Sequence, residues 1–128
     1  MLQLYCKGRP IKSRTPTLVG GSLLYVFMIF IYTTCKDMDE AKKLGELIIS
    51  NKNGACVDFW PISSCYNWEG TLTCVDQVML LITTLESKLD EVNTLISDNH
   101  TYSIPLIAGV DIRRINHPYK EWMVKEME

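Results

Sequence analysis

The pattern of apolar and polar positions predicts that strands and helices alternate along the first half of the chain. Residues 23–32 form an apolar block rich in β-branched and aromatic side chains, which is typical of a strand covered on both faces. Asp37 then caps a helix, with Glu40 three residues later as its capping-box partner. Apolar residues recur at helical spacing until residues 51–54, whose Asn-Lys-Asn-Gly sequence ends the helix.

A long β-hairpin is predicted in the middle of the chain. Its first strand begins with residues 55–60, and Pro61 favours an edge position or a bulge because proline lacks the amide proton that a central strand donates. The turn falls at residues 66–70, and residues 71–84 form the second arm. Arms of about 13 residues span about 40 Å, so the hairpin should protrude from a domain whose radius of gyration is about 13 Å.

The last third of the chain predicts a helix over residues 86–99, a strand over residues 102–112 and a short helix capped by Asn116. The complete order is β-α-β-β-α-β-α, which is the split β-α-β, or ferredoxin-like, pattern. We therefore expect an α+β fold with a four-stranded antiparallel sheet, two helices on one face and a short C-terminal helix.

Two helices can cover only one face of such a sheet, yet the first and third predicted strands are apolar nearly throughout. The other face and the open edges need cover. A closed, symmetric homo-oligomer in which sheets pack on each other is the simplest solution. A monomer with a solvated sheet face is the alternative.

The N-terminal segment has features of a targeting sequence. Residues 15–35 carry no charge and follow four basic residues, as in a signal peptide or signal anchor. The apolar block is short for a membrane helix, which needs about 20 apolar residues, and this favours a buried strand. Residues 1–21 are expected to be a loosely ordered extension or a targeting remnant, and residues 22–128 one domain.

Charge and cysteine content narrow the classes of function. The 128-residue chain has a net charge of −2, which offers no basic surface for a nucleic acid. Its five cysteines are odd in number and lack a Cys-x-x-Cys spacing, which favours reduced thiols and a cytoplasmic location over an organelle or a membrane. A disulfide between Cys65 and Cys74 is the alternative, if Glu69-Gly70 forms a two-residue turn.

Five segments together resemble the CutA divalent-cation tolerance family. They are Thr34-Cys35, the Gly-Ala-Cys-Val run that leads to Pro61, Tyr66-Asn67-Trp68-Glu69-Gly70, His100-Thr101-Tyr102, and Asn116 to Trp122. The likeness extends over about residues 23–126. It implies a ferredoxin-like homotrimer linked to tolerance of divalent metals, copper most often. The architecture is similar to that of the PII signalling proteins, which bind small effectors between subunits.

The resemblance implies a metal pair of Cys35 and His100. Thiolate and imidazole suit soft or borderline ions such as copper and zinc. The alternative is a buried thiol and a helix-end histidine that satisfies a carbonyl. The sequence departs from the family at Leu106, where members carry a glutamate proposed as a ligand, and at Gln77, where a glutamate is common.

Aromatic residues are expected to line a cleft between subunits, or to serve there only as packing, because tyrosine and tryptophan are enriched at interfaces. They are Tyr66, Trp68, Tyr102, Tyr119 and Trp122.

The predicted function is therefore a non-catalytic trimer that binds copper or a small effector in that cleft. An assembly trimer that has lost its metal site, and serves as a partner-binding or anchoring module, is the alternative. Acylphosphatases share the fold pattern, but their glycine-rich anion loop with an arginine is not in place here. Two histidines assemble no catalytic triad, so we expect no enzyme.

Overall fold

The computed structural model describes residues 17–19, 22–24 and 26–128. Its strands are β1 (Thr17–Val19), β2 (Ser22–Leu24), β3 (Met28–Cys35), β4 (Cys56–Trp68), β5 (Thr71–Leu85) and β6 (Ala108–Asp111). Its α-helices are α1 (Met38–Ser50), α2 (Leu89–Asn99), which a 3₁₀ turn at Glu86–Lys88 precedes, and α3 (His117–Glu126). The basic residues of the N-terminal segment and Cys6 lie outside the described residues.

The main sheet has the strand order β4-β5-β3-β6, and every neighbouring pair is antiparallel. This is the order of a split β-α-β fold, with α1 and α2 packed against one face of the sheet. The predicted α+β, ferredoxin-like class is confirmed. The edge position that Pro61 indicated for β4 is also confirmed, and Pro61 pairs in register with Val78.

Two predicted strands have other bounds in the structure. The strand expected from Leu23 begins at Met28, because Leu23 and Leu24 belong to β2 and pair with β1 in a separate two-stranded sheet. The strand expected over residues 102–112 is reduced to Ala108–Asp111. Pro105 has no amide proton to donate, and the amide of Tyr102 donates to the His100 ring, so the ladder cannot extend through this segment.

The N-terminal caps predicted for α1 and α3 form to different degrees in the structure. The Asp37 carboxylate accepts a hydrogen bond from the Glu40 amide at 2.9 Å, as the capping box predicts. Glu40 reaches past the cap residue, however, and accepts from the Lys36 amide at 2.9 Å. Asn116 occupies the cap position of α3 but makes no side-chain capping hydrogen bond.

The main core lies between the sheet and the two helices. Its fully buried members include Ile31, Leu80 and Ile82 from the strands, with Ile48 and Ile96 from α1 and α2. A smaller cluster forms where α3 packs Met123 and Val124 against Met28. This second cluster covers the end of the sheet that is away from the β4–β5 turn.

The opposite face of the sheet carries a row of partly exposed apolar side chains, which we call the open face. Strand register places Tyr32, Leu81 and Met79 on it, beside Phe30 and Trp60. None of these side chains is fully buried in the single chain, and Trp60 is 39% exposed. The open face is thus the uncovered apolar surface that the sequence predicted.

The β4–β5 hairpin pairs without interruption from Cys56 with Thr83 to Trp68 with Thr71. Its two-residue turn is Glu69-Gly70, with φ of 50° and 81°. Such a pair of positive angles is typical of the turn that matches the right-handed twist of a hairpin. Cys65 and Cys74 are directly opposite and form a disulfide, so the expectation of reduced thiols is wrong for this pair. Cys35 and Cys56 are free thiols.

No helix in the described ranges has the length and apolarity needed to cross a membrane.

Replacing Gly54 with alanine should destabilise the fold, because an added Cβ would lie 2.9 Å from Ile48 Cγ2 and 3.1 Å from Ile82 Cγ2. Both neighbours are fully buried, and overpacking of this kind costs about 1–2 kcal/mol. Urea unfolding measures the change. The matched control is Gly70→Asn at the open turn, where asparagine tolerates a positive φ. Equal midpoints for Gly54→Ala and the parent protein would contradict the expected clash.

Candidate functional site

Three potential metal-ligating side chains meet where β3 ends. Cys35 is the last residue of β3, Glu40 lies in the first turn of α1, and His100 follows directly after α2. Their ligand atoms all lie within 4.8 Å of one another. Cys35 and Glu40 are buried and His100 is half-buried. We call these three residues the Cys-Glu-His cluster.

Both ring nitrogens of His100 are engaged in hydrogen bonds. Nε2 lies 2.8 Å from the carbonyl oxygen of Thr34, which can only accept, so Nε2 carries the proton. Nδ1 accepts from the Tyr102 amide at 3.0 Å. The partners therefore assign a neutral ring protonated on Nε2. A metal ion could bind Nε2 only after the ring proton moves to Nδ1, which breaks the contacts with Thr34 and with the Tyr102 amide.

The Glu40 carboxylate connects three segments of the chain through hydrogen bonds. Its Oε1 accepts from the Lys36 amide at 2.9 Å, and its Oε2 accepts from the Thr101 amide at 3.0 Å. Burial on its own would raise the pKa of Glu40, but hydrogen bonds from Thr101 and Lys36 outweigh it and lower the pKa. Glu40 is thus a carboxylate at neutral pH, with lone pairs left for a cation.

The Cys35 thiol is protonated in this environment. Burial raises its pKa to about 12, and the negative charges of Glu40 and Asp37 add to the effect. A metal ion must therefore displace the thiol proton before the sulfur can ligate it.

An open pocket of about 400 Å³ lies beside the Cys-Glu-His cluster. Glu40 lines this pocket as well as the cluster, together with Lys36, Lys43, Asn99 and Thr101. A small solute can thus approach the carboxylate from the surface between α1 and the end of α2.

The structure brings one of the expected cleft aromatics to the cluster. The Tyr102 ring lies 4.9 Å from the His100 ring, centroid to centroid, and its hydroxyl donates to Gln77 Oε1 at 2.9 Å. Burial raises the pKa of Tyr102, with the nearby Tyr66 next in effect. Gln77, where the sequence departs from the family, therefore holds Tyr102 in place by a hydrogen bond.

The remaining aromatics lie at opposite ends of the subunit. Tyr66 and Trp68 lie near the hairpin turn and are 41% and 48% exposed. Tyr119 and Trp122 contact each other on α3, with ring centroids 5.2 Å apart. Tyr119 lies near Cys56, ten residues before Tyr66 on the same strand, which is about 33 Å away at 3.3 Å per residue. Within one chain the two pairs do not meet.

Sequence reasoning missed Glu40 as a member of this site. The capping-box signal did locate it in the first turn of α1, directly after the cysteine that ends β3. Leu106, which stands where the family's proposed carboxylate would be, is not part of the cluster. The carboxylate of the cluster thus comes from a different element of the fold.

The donor set of the cluster is one thiol, one imidazole and one carboxylate. Sulfur and nitrogen donors favour copper and zinc over hard ions such as Mg²⁺. Three donors leave a coordination position open on a tetrahedral ion. The residues therefore fit a soft or borderline metal ion, once Cys35 has lost its proton and the His100 ring proton has moved from Nε2 to Nδ1.

The chain has a ferredoxin-like α+β fold. Soft and borderline metal ligands lie at the end of its first long strand, β3. The family model described as CutA1 divalent ion tolerance protein matches residues 29–126. The chain belongs to this family. Its members are named for tolerance of divalent ions and not for a catalysed reaction.

Relatives support the same assignment. The chloroplastic protein CutA 1 of Oryza sativa subsp. japonica is 36% identical over 116 residues, which cover 90% of this chain and 66% of that protein. The divalent-cation tolerance protein CutA of Archaeoglobus fulgidus is 28% identical over 99 residues, covering 77% of this chain and 97% of that protein.

Solved structures show the same fold. The crystal structure of CutA1 from Oryza sativa has a TM-score of 0.77 at 35% identity, covering 79% of this chain and 94% of that one. The periplasmic divalent cation tolerance protein CutA from Archaeoglobus fulgidus has a TM-score of 0.78 at 28% identity, covering 79% and 99%. The rice relative is named chloroplastic and the Archaeoglobus fulgidus protein periplasmic. The cytoplasmic location of this chain and its domain boundary after residue 21 stay predictions.

Proposed function

We propose that the protein acts in divalent-cation tolerance as a non-catalytic homotrimer that binds a metal ion, copper first, at the Cys-Glu-His cluster. The observation that carries the proposal is the convergence of three ligand atoms within 4.8 Å from three separate elements. A thiol and an imidazole together select ions at the soft end of the divalent series.

The hydrogen bonds of the cluster set the strength of this binding. Loading the site removes the proton of Cys35 and breaks the contact between His100 Nε2 and Thr34. Each proton released makes the apparent affinity depend on pH.

Substituting two of the ligands should abolish metal binding. The Cys35→Ser, His100→Ala double variant removes the soft donors, so calorimetric titration with Zn²⁺, and with Cu⁺ under nitrogen, should give no heat of binding at the cluster. Binding by the parent protein should strengthen about tenfold per pH unit for each proton released, over a range below the thiol pKa of about 12.

The matched control is Cys56→Ser, which removes the other free thiol of the described residues and leaves the cluster intact. The titration is run with the Cys65–Cys74 disulfide closed, so that the hairpin sulfurs do not compete. The same affinity in the double variant and the parent would refute the assignment.

The trimer part of the proposal rests on the open face and on the separated aromatic pairs. Tyr32, Leu81 and Met79 lie side by side on a sheet face that α1 and α2 do not cover. Tyr66 and Trp68 at one end of the subunit and Trp122 at the other are exposed. Neighbouring subunits in a ring would bring these two ends together in a cleft between chains. The same cleft is the proposed site for a small effector.

A second candidate function is an assembly module that uses no metal and presents the trimer surface to a partner. The observation in its favour is that both His100 nitrogens and both Glu40 oxygens already have hydrogen-bond partners. For this candidate, the Cys-Glu-His cluster serves only to connect β3, α1 and the segment after α2 through hydrogen bonds. Intact trimers that take up neither Zn²⁺ nor Cu⁺ would decide for this candidate.

A further inference from the structure

A pair of sulfur atoms outside the Cys-Glu-His cluster lies on the arms of the hairpin, four ladder positions beyond Val78, which pairs with Cys35. Cys65 and Cys74 are directly opposite in the β4–β5 ladder, with Cα atoms 4.0 Å apart, and both residues are exposed. Three further pairs of the ladder separate them from the turn. The ladder itself thus holds the two side chains beside each other, whether or not the disulfide is closed.

The two cysteines point away from the open face. Side chains alternate between the faces of a strand, so Cys65 lies on the face opposite to Tyr66. The next pair on the cysteine face is Ser63 and Asp76, whose side chains share a hydrogen bond of 2.9 Å. An assembly through the open face therefore leaves the cysteines accessible, with a carboxylate beside them.

We propose that reduction of the Cys65–Cys74 disulfide converts the hairpin into a two-thiol site for a soft metal ion, and for Cu⁺ above all. The site goes beyond the proposed function, because it uses no residue of the Cys-Glu-His cluster. It makes metal uptake by this chain depend on the redox state of its surroundings.

The reduction balances with a thiol reductant. The S–S bond breaks and takes up two electrons and two protons, while two thiols of the reductant lose the same electrons and protons and join as a disulfide. Cu⁺ then binds both sulfurs and displaces their protons to solvent. In the closed disulfide the sulfurs are bonded to each other and provide no thiolate, so the oxidised hairpin has no such site.

Three features favour Cu⁺ over harder ions. Two thiolates are the softest donor set that a protein offers, and Cu⁺ is the ion for which they have the highest preference among the common metals. The antiparallel ladder fixes the two Cα positions, so that only side-chain rotations are needed for both sulfurs to ligate one ion. Asp76 adds negative charge on the same face, which attracts a cation.

The test uses the full chain with its hairpin cysteines as the only thiols, made by Cys6→Ser, Cys35→Ser and Cys56→Ser together. The protein is reduced with a phosphine, desalted under nitrogen and titrated with Cu⁺ against a chromogenic Cu⁺ chelator. We expect one Cu⁺ per chain for the reduced protein and none after closure of the disulfide. Adding Cys65→Ser and Cys74→Ser should also remove the uptake.

Equal uptake by the reduced and oxidised forms, or uptake that persists without the hairpin cysteines, would overturn the proposal. Circular dichroism reports whether the triple variant is folded. If it is not, the parent protein decides the question, because its reduced form should bind one more Cu⁺ per chain than its oxidised form.

The result is independent of the cluster. Cys65→Ser with Cys74→Ser leaves the Cys-Glu-His cluster whole, whereas Cys35→Ser with His100→Ala leaves the hairpin whole. Loss of metal binding in only one of these variants assigns the failure to one proposal.

Discussion

Replacing Leu81 with aspartate should dissociate the proposed trimer into monomers. Leu81 lies on β5, a central strand, and its neighbours across the open face are Tyr32 on β3 and Asp58 on β4. In a trimer that packs through this face, the new carboxylate would be buried without a counter-charge and beside Asp58. An unpaired buried charge costs several kcal/mol, and in a trimer this cost arises three times.

Multi-angle light scattering measures the mass of the particle, which should fall to that of one 14.7 kDa chain. The matched control is Ile49→Asp, which makes the same kind of change at a residue of α1 that is 39% exposed and away from the open face. Its mass should stay that of the parent. A trimer that persists in Leu81→Asp would show that the subunits do not assemble through this face.

Replacing Glu40 with alanine should be the most destabilising change at the Cys-Glu-His cluster. The carboxylate accepts hydrogen bonds from two backbone amides, those of Lys36 and Thr101, which belong to different parts of the chain. Hydrogen bonds to a charged group contribute about 1.5–3 kcal/mol each, so the loss of both should cost about 2–4 kcal/mol after water has replaced part of them. Urea unfolding at fixed protein concentration measures it.

The effect should depend on pH in a defined direction. The folded-state pKa of Glu40 lies below its ordinary value of 4.5, so its stabilising effect is complete above that value and is lost as the pH falls through the folded pKa. Glu40→Gln, which cannot ionise, should therefore differ from the parent most at neutral pH and least once the pH has fallen below the folded pKa of Glu40. The control is Glu46→Ala, an exposed position on the same helix, where a change within about 0.5 kcal/mol is expected. A Glu40→Gln difference that stays constant with pH would contradict this account.

Local sequence signals predicted much of this fold, because at these positions no long-range contact overrides them. The Asp37 cap and the edge position of Pro61 each depend on the chemistry of one residue. The turn predicted over residues 66–70 is narrower in the structure, where Glu69-Gly70 forms the turn and Tyr66 to Trp68 belong to β4. The alternation of apolar segments predicted the order of the elements and the uncovered face of the sheet. These features need no knowledge of which residues meet at long range.

The errors came from long-range partners. The apolar block from Leu23 continues smoothly into β3, and only pairing with β1 shows that its first residues belong to another sheet. The segment after Thr101 looked like a strand, but its Tyr102 amide donates to a histidine ring. Glu40 was read as a capping residue alone, because the contact with Thr101 spans 61 residues of sequence. The Cys65–Cys74 bond was an open alternative, since composition favoured thiols and the turn favoured the bond.

The short length of β6 has a consequence for how this site can vary. Only Ile29 to Tyr32 of β3 are paired with β6, so within the described part of the chain the last residues of β3 have no neighbouring strand on that side. A side chain, His100, takes the Thr34 carbonyl that a longer strand would have occupied. The segment that carries His100 and Tyr102 is therefore not constrained by sheet pairing, and hydrogen bonds to Thr34, Glu40 and Gln77 hold it instead. Selection can change the ligand preference of this edge while the rest of the fold stays the same. A two-residue extension of β6 would be enough to pair with the end of β3 and close this edge.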